Sequence, residues 1–222
     1  MWNVKVIIFD LDNTLYNELD YVYSGFKAVA NYFNQAYSLP FEETYYFMIE
    51  ELKTKGRGKI FNSILSKYKL DTLKNVKRAV SVYRLHTPKI TLPESSKDIL
   101  NYYSNKPIYI VTDGNKIVQA KKIEALGLNR YIKKAFITHQ YGLKYAKPST
   151  YCFEKIASIE KVHPEEIVYI GDDIEKDFVG IKPLGFKTMR LKTYNSKDYT
   201  KSQEYYADIE IDHINELTNI LN

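Results

Sequence analysis

Apolar residues recur in two different rhythms along this chain. Val6-Ile7-Ile8-Phe9 is an unbroken run, mostly β-branched, and predicts a short strand buried on both faces. From residue 16 to residue 92 the spacing becomes helical. Leu19, Val22, Phe26, Val29, Ala30 and Phe33 fall on one stripe, as do Phe61, Ile64, Leu65 and Tyr68, and then Leu73, Val76, Val80 and Tyr83. Lys55-Gly56-Arg57-Gly58-Lys59 separates two of these helices, and Pro88 and Pro93 bracket the exit.

Beyond Pro93 the two rhythms alternate. A helix through Ile99, Leu100 and Tyr103 leads to the strand Ile108-Tyr109-Ile110-Val111, and a helix over 116–126 stops at Gly127. A strand over 135–138, a helix over 151–159 and the strand Ile167-Val168-Tyr169-Ile170 follow. Another helix is expected before a strand at 187–191, then Ile209-Glu210-Ile211 and a last helix from Asn215. Such alternation predicts βαβ units and a parallel sheet. The expected architecture is α/β: a Rossmann-like parallel-sheet core from residues 1–15 and 93–222, with an all-helical domain, residues 16–92, inserted after the first strand.

Composition narrows this picture without redirecting it. Of 222 residues 45% are hydrophobic and 27% charged, which is ordinary for a globular chain. No apolar stretch approaches the roughly 20 residues that cross a bilayer, and the N-terminus has no signal-peptide pattern. The lone cysteine, Cys152, fits a reducing, cytoplasmic setting and, on its helix, a small buried thiol. The 21 tyrosines show no repeat and suit half-buried surface. Residues 16–92 hold 12 basic against 7 acidic side chains and the rest of the chain is balanced, so the helical segment carries the whole net charge of +5. That suits a solvated helical surface or a lid over an anionic small molecule. There is no basic run or module that would suit nucleic acid.

Candidate chemistry collects near strand ends. Asp10 and Asp12 close the first strand; two ionised carboxylates there repel one another unless a cation or shared proton compensates. Val111-Thr112-Asp113-Gly114-Asn115 turns a strand into a helix and offers O–H and N–H donors to an anion. Lys147 stands before Pro148, a residue suited to a helix start. Gly171-Asp172-Asp173-Ile174-Glu175-Lys176-Asp177 places an acidic cluster directly after a strand. Taken singly, each also reads as a turn or a helix cap. Taken together they suit a site for Mg²⁺ and phosphate, since Mg²⁺ is held by a few hard carboxylate oxygens plus substrate.

DLDNTL at 10–15, the Thr of VTDG at 112, Lys147-Pro148 and GDDIEKD at 171–177 resemble, in order, the four motifs of the haloacid dehalogenase-like superfamily of hydrolases. The helical insert resembles that superfamily's small cap. The resemblance implies Asp10 as nucleophile and Asp12 as general acid and base. It implies Mg²⁺ held by Asp10, the Asp12 carbonyl and Asp172, and phosphoryl oxygens held by Thr112, the amides of Asp113 and Gly114, and Lys147. Asp177 and Asp173 would bind metal waters or orient Lys147. The implied reaction is hydrolysis of a small phosphorylated metabolite, a sugar phosphate or a nucleotide, through an aspartyl-phosphate. A phosphosugar mutase would use the same residues. A 2-haloacid dehalogenase fits less well, because such enzymes lack an acidic residue at the position of Asp12. Arg57 and Lys59 in the insert resemble a substrate-reading loop, although a plain interhelical turn explains them too.

Overall fold

The computed structural model describes residues 1–192 and 202–222. The chain divides into two compact units, Met1–Asn17 with Thr91–Asn222, and Glu18–Ile90. After β1 (Val6–Phe9) come α1 (Glu18–Tyr37), α2 (Phe41–Lys55), α3 (Ile60–Lys67) and α4 (Leu73–Leu85), which build the helical unit. Val22, Phe26, Val29 and Phe33 of α1 meet Met48, Ile60, Ile64 and Ala79 in its core. Thr72 caps α4, its hydroxyl accepting the Asn75 N–H at 3.2 Å. One expectation fails on α4. Leu73 begins the apolar stripe yet is 70% exposed, and Ala79 is the residue this helix buries. As the first residue after the cap, Leu73 precedes the turn that meets the other helices.

The second unit is α/β. It continues with α5 (Glu94–Tyr102), β2 (Ile108–Thr112), α6 (Lys116–Ala125), β3 (Lys134–Ile137), α7 (Tyr151–Glu160), β4 (Ile167–Gly171), β5 (Lys187–Leu191), β6 (Ile209–Ile211) and α8 (Leu217–Ile220). The strands form one parallel sheet in the order β3-β2-β1-β4-β5-β6. Every residue of β1, β2 and β4 is buried, as their unbroken apolar runs require. On one face Val6, Ile8, Tyr109, Val111 and Tyr169 pack against Cys152, Phe153 and Ile156 of α7. Burial pushes the Cys152 thiol up to about 11, the state of a packed thiol rather than a reactive one.

The helix expected between β4 and β5 does not form. Residues 172–186 run through turns with one short 3-10 turn, Lys182–Leu184. Gly180, Pro183 and Gly185 interrupt the stretch, and the Asp173 N–H is held by the Asp177 side chain. Among the described residues no helix is long and apolar enough to cross a membrane.

Strand order decides where chemistry can collect. The chain runs outward from β1 through β2 to β3, then returns to the other side of β1 with β4. That reversal opens a crevice beyond the carboxyl ends of β1 and β4, where open α/β sheets hold ligands.

Candidate active site

Phe9 pairs in register with Ile110 of β2 and Ile170 of β4. Asp10 therefore leaves the sheet level with Val111 and Gly171, and Thr112 and Asp172 stand one residue further along the same rim. The Asp10 N–H still donates to the Ile170 carbonyl at 2.8 Å, which fixes where its carboxylate starts.

That carboxylate is buried among charges. Lys147, itself buried, lies 3.1 Å from Asp10 Oδ1 and 2.6 Å from Asp177 Oδ1. Lys147 Nζ also donates to the Tyr169 hydroxyl at 2.9 Å, which in turn donates to Asp177 Oδ1 at 3.1 Å. A Cβ on Gly171 would meet Asp177 Oδ2 at 2.3 Å, so only glycine at the end of β4 lets this carboxylate fold back against the strand. Burial works against charge on Lys147, but Asp10 and Asp177 outweigh it and hold the ammonium well above the usual lysine range.

One lysine does not balance the acids around it. Carboxylate oxygens of Asp10, Asp172 and Asp177 lie within 4.8 Å of one another. Burial pushes Asp10 up to about 7, with Lys147 opposing and Asp177 and Asp12 adding to the shift. Burial, then Asp10 and Asp177, push Asp172 up to about 8. Asp10 Oδ1 has no well-directed hydrogen bond despite its nearness to Lys147. Clustered oxygens in a partly desolvated crevice suit a hard divalent cation.

The cap readings can now be tested residue by residue. The cap of α6 is Asn115, whose side chain accepts the Ile117 and Val118 N–H groups, so Thr112 and Asp113 are not used that way. Asp113 Oδ1 accepts from Thr138 Oγ1 at 2.6 Å and from the Lys147 N–H at 3.1 Å, tying the lysine's loop to the end of β2. Asp173 does serve a turn: it accepts the Glu175 N–H and lies 3.3 Å from Lys176, while Asp177 faces Lys147. Pro148 does not start a helix. It follows Lys147 through a cis peptide bond, and α7 begins at Tyr151. In the helical unit Arg57 forms a two-pronged ion pair with Glu18, at 2.8 and 2.6 Å, and Lys59 precedes α3 as an exposed residue.

Sequence reasoning missed four polar residues of the α/β unit. Tyr169 passed as an apolar member of β4. Gln119, Lys122 and Tyr16 converge on Asp12: Lys122 Nζ lies 2.8 Å from each carboxylate oxygen, Gln119 Nε2 2.9 Å from Oδ2, and the Tyr16 hydroxyl 2.6 Å from Oδ1. A signal existed. Gln119 and Lys122 share the i, i+3, i+4, i+7 stripe of Ile123 and Leu126, and α6 buries both.

The model of the family described as haloacid dehalogenase-like hydrolase matches residues 4–185. A glyceraldehyde 3-phosphate phosphatase of Methanocaldococcus jannaschii is 29% identical, with 98% of this chain and 97% of that protein covered. A glyceraldehyde 3-phosphate phosphatase of Pyrococcus furiosus is also 29% identical, over 100% of this chain and 94% of its own. Among solved structures, the putative HAD-hydrolase YfnB from Bacillus subtilis, bound to magnesium, superposes with a TM-score of 0.71 at 18% identity, covering 99% of both chains. The fold, the order of the site residues and the match over most of its length make this chain a member of the haloacid dehalogenase-like hydrolase family.

Proposed function

We propose that this protein is a Mg²⁺-dependent phosphomonoesterase acting on a small phosphorylated metabolite through an aspartyl-phosphate. The observation that carries the reading is the buried Asp10 carboxylate, set beside Lys147 and close to Asp172 at the sheet's switch point. Asp10, Asp172 and the Asp12 carbonyl would hold Mg²⁺, with Asp177 nearby to fix Lys147. When bound, the ion neutralises phosphoryl oxygens and lowers the repulsion met by an attacking carboxylate.

The chain's own residues do the rest. An Asp10 oxygen attacks phosphorus; the bond to the ester oxygen breaks, and that oxygen takes a proton from Asp12. Water then attacks the aspartyl-phosphate, gives its proton to Asp12, and inorganic phosphate leaves as Asp10 is regenerated. Thr112, the amides of Asp113 and Gly114, and Lys147 hold the non-bridging oxygens through both steps. Residues 16–92 are assigned the choice of substrate, with Arg57 and Lys59 as candidate anion contacts. The likeness to two proteins named glyceraldehyde 3-phosphate phosphatase supports a short sugar phosphate rather than a nucleotide as the substrate class. A cytoplasmic location follows from the same reading, on the single buried thiol.

The test is phosphate release across a panel of sugar phosphates and nucleotides, with Mg²⁺ and then with EDTA. Turnover of a triose phosphate or related ester that EDTA abolishes and Mg²⁺ restores is expected. Activity indifferent to EDTA would overturn the metal assignment, and release from no ester would overturn the whole reading.

A further inference from the structure

Asp12 is held more firmly than an acid–base side chain needs for burial alone. Lys122 grips both carboxylate oxygens at 2.8 Å, and Gln119 Nε2 reaches Oδ2 at 2.9 Å. The same Gln119 nitrogen lies 2.7 Å from Thr112 Oγ1. One amide group therefore joins the Asp12 carboxylate to the hydroxyl at the end of β2. Both side chains come from α6 and are almost fully buried, Gln119 at 2% and Lys122 at 3% exposure.

Burying a lysine against one carboxylate costs desolvation that an apolar side chain on the same stripe would avoid. The arrangement therefore needs a reason beyond packing. A carboxylate on a single-methylene stem turns freely about two torsions, and Lys122 across both oxygens, with Tyr16 on Oδ1 and Gln119 on Oδ2, fixes both. Gln119 has a second effect. By donating to Thr112 Oγ1 it occupies an acceptor position there, so the threonine's own hydrogen is directed away from α6 and remains available to an anion. The turn is packed onto this strut: a Cβ on Gly114, whose φ is +132°, would press against Gln119 Cγ at 3.2 Å.

We propose that Gln119 and Lys122 are positioning residues that aim the Asp12 carboxyl at the leaving oxygen and, through Gln119, lock that aim to the Thr112 phosphoryl contact. The proposal rests on the phosphomonoesterase reading. It predicts a dependence on the leaving group that loss of structure alone would not produce. An aryl oxide leaves without much help from a proton donor, whereas an alkoxide depends on it.

The experiment compares 4-nitrophenyl phosphate with whichever alkyl phosphate of the panel the Mg²⁺-loaded wild-type protein turns over fastest. Lys122→Met is expected to lower kcat/KM on the alkyl ester, which reports the transfer to Asp10 alone, about tenfold or more. On 4-nitrophenyl phosphate its kcat/KM should fall by less than about threefold, whereas kcat on either ester also carries the common hydrolysis of the aspartyl-phosphate. Gln119→Leu is expected to show the same selectivity with a higher KM for both esters, and Lys122→Arg to recover part of the alkyl activity. Melting curves accompany each variant, and if Lys122→Met does not fold, Gln119→Leu decides the question. Equal losses of kcat/KM on both esters, or no loss on either, would overturn the positioning role while leaving the phosphomonoesterase intact. A wild-type protein inactive on every ester would remove that reading, and this proposal with it.

Discussion

Two buried lysines flank the end of β1, and their surroundings differ in charge. Lys147 lies among Asp10 and Asp177, with Asp172 close to both, so its cluster keeps an excess of negative charge. Lys122 pairs with both oxygens of the Asp12 carboxylate, and Gln119 and Tyr16 add neutral donors to it. The first cluster is electrically open and suits a cation and a phosphoryl group. The second is closed on itself and suits holding one side chain still. Buried ion pairs at the end of one strand thus suit different work according to whether their charges cancel.

The largest expected effect breaks the open cluster at its centre. Asp10→Asn should abolish phosphate release, by roughly 10⁴-fold or more, for aryl and alkyl esters alike. Lys147→Met should come next, because it leaves Asp10 and Asp177 facing each other in a buried site. Removing one partner of such a pair costs about 3–5 kcal/mol, read as a lower melting temperature in the metal-free protein and partly recovered by Mg²⁺. Lys122→Met should cost less, about 1–3 kcal/mol, since the remaining Asp12 carboxylate keeps two donors and some solvent. Equal destabilisation by the two lysine substitutions would erase the distinction between open and closed clusters.

A pH series sharpens the same contrast. Burial pushes Asp10 up to about 7 and Asp172 up to about 8 in the folded chain, above the ordinary value of 3.8. Between those pH values the folded state holds more protons than the unfolded state. Their contribution is fully present below the ordinary value and is lost as pH rises through the folded ones. Metal-free protein should therefore melt at a lower temperature at about pH 8 than at about pH 5, and added Mg²⁺ should raise the melting point more at the higher pH. An EDTA-treated sample whose melting point climbs over that range would contradict the open cluster. The smallest effect belongs to the helical unit. Arg57→Ala removes an exposed ion pair to Glu18 and should change stability by less than about 1 kcal/mol. A clear rise in KM in that variant would place Arg57 in substrate reading.

Much of the α/β unit was legible because its signals are local. Val6 to Phe9, Ile108 to Val111 and Ile167 to Ile170 read as buried strands from their apolar runs alone, and Gly127, in a left-handed conformation at φ 65°, ends α6 where expected. Leu73 misled because a stripe gives spacing and not which turn meets the neighbouring helices. The expected helix before β5 failed because Asp177 turns back to its own loop, a long-range consequence of Lys147. Gln119 and Lys122 were visible as polar residues on an apolar stripe, but their meaning depended on where Asp12 points.

Apart from the helix expected before β5, composition and pattern determined the element types, the parallel α/β class and the acids, hydroxyl and lysine placed at strand ends, because each depends on residues a few positions apart. Tertiary structure alone decided that β4 pairs with β1 on the side opposite β2. Strand order depends on contacts between segments far apart in the chain, and that pairing brings Asp10, Lys147 and Asp172 into one crevice.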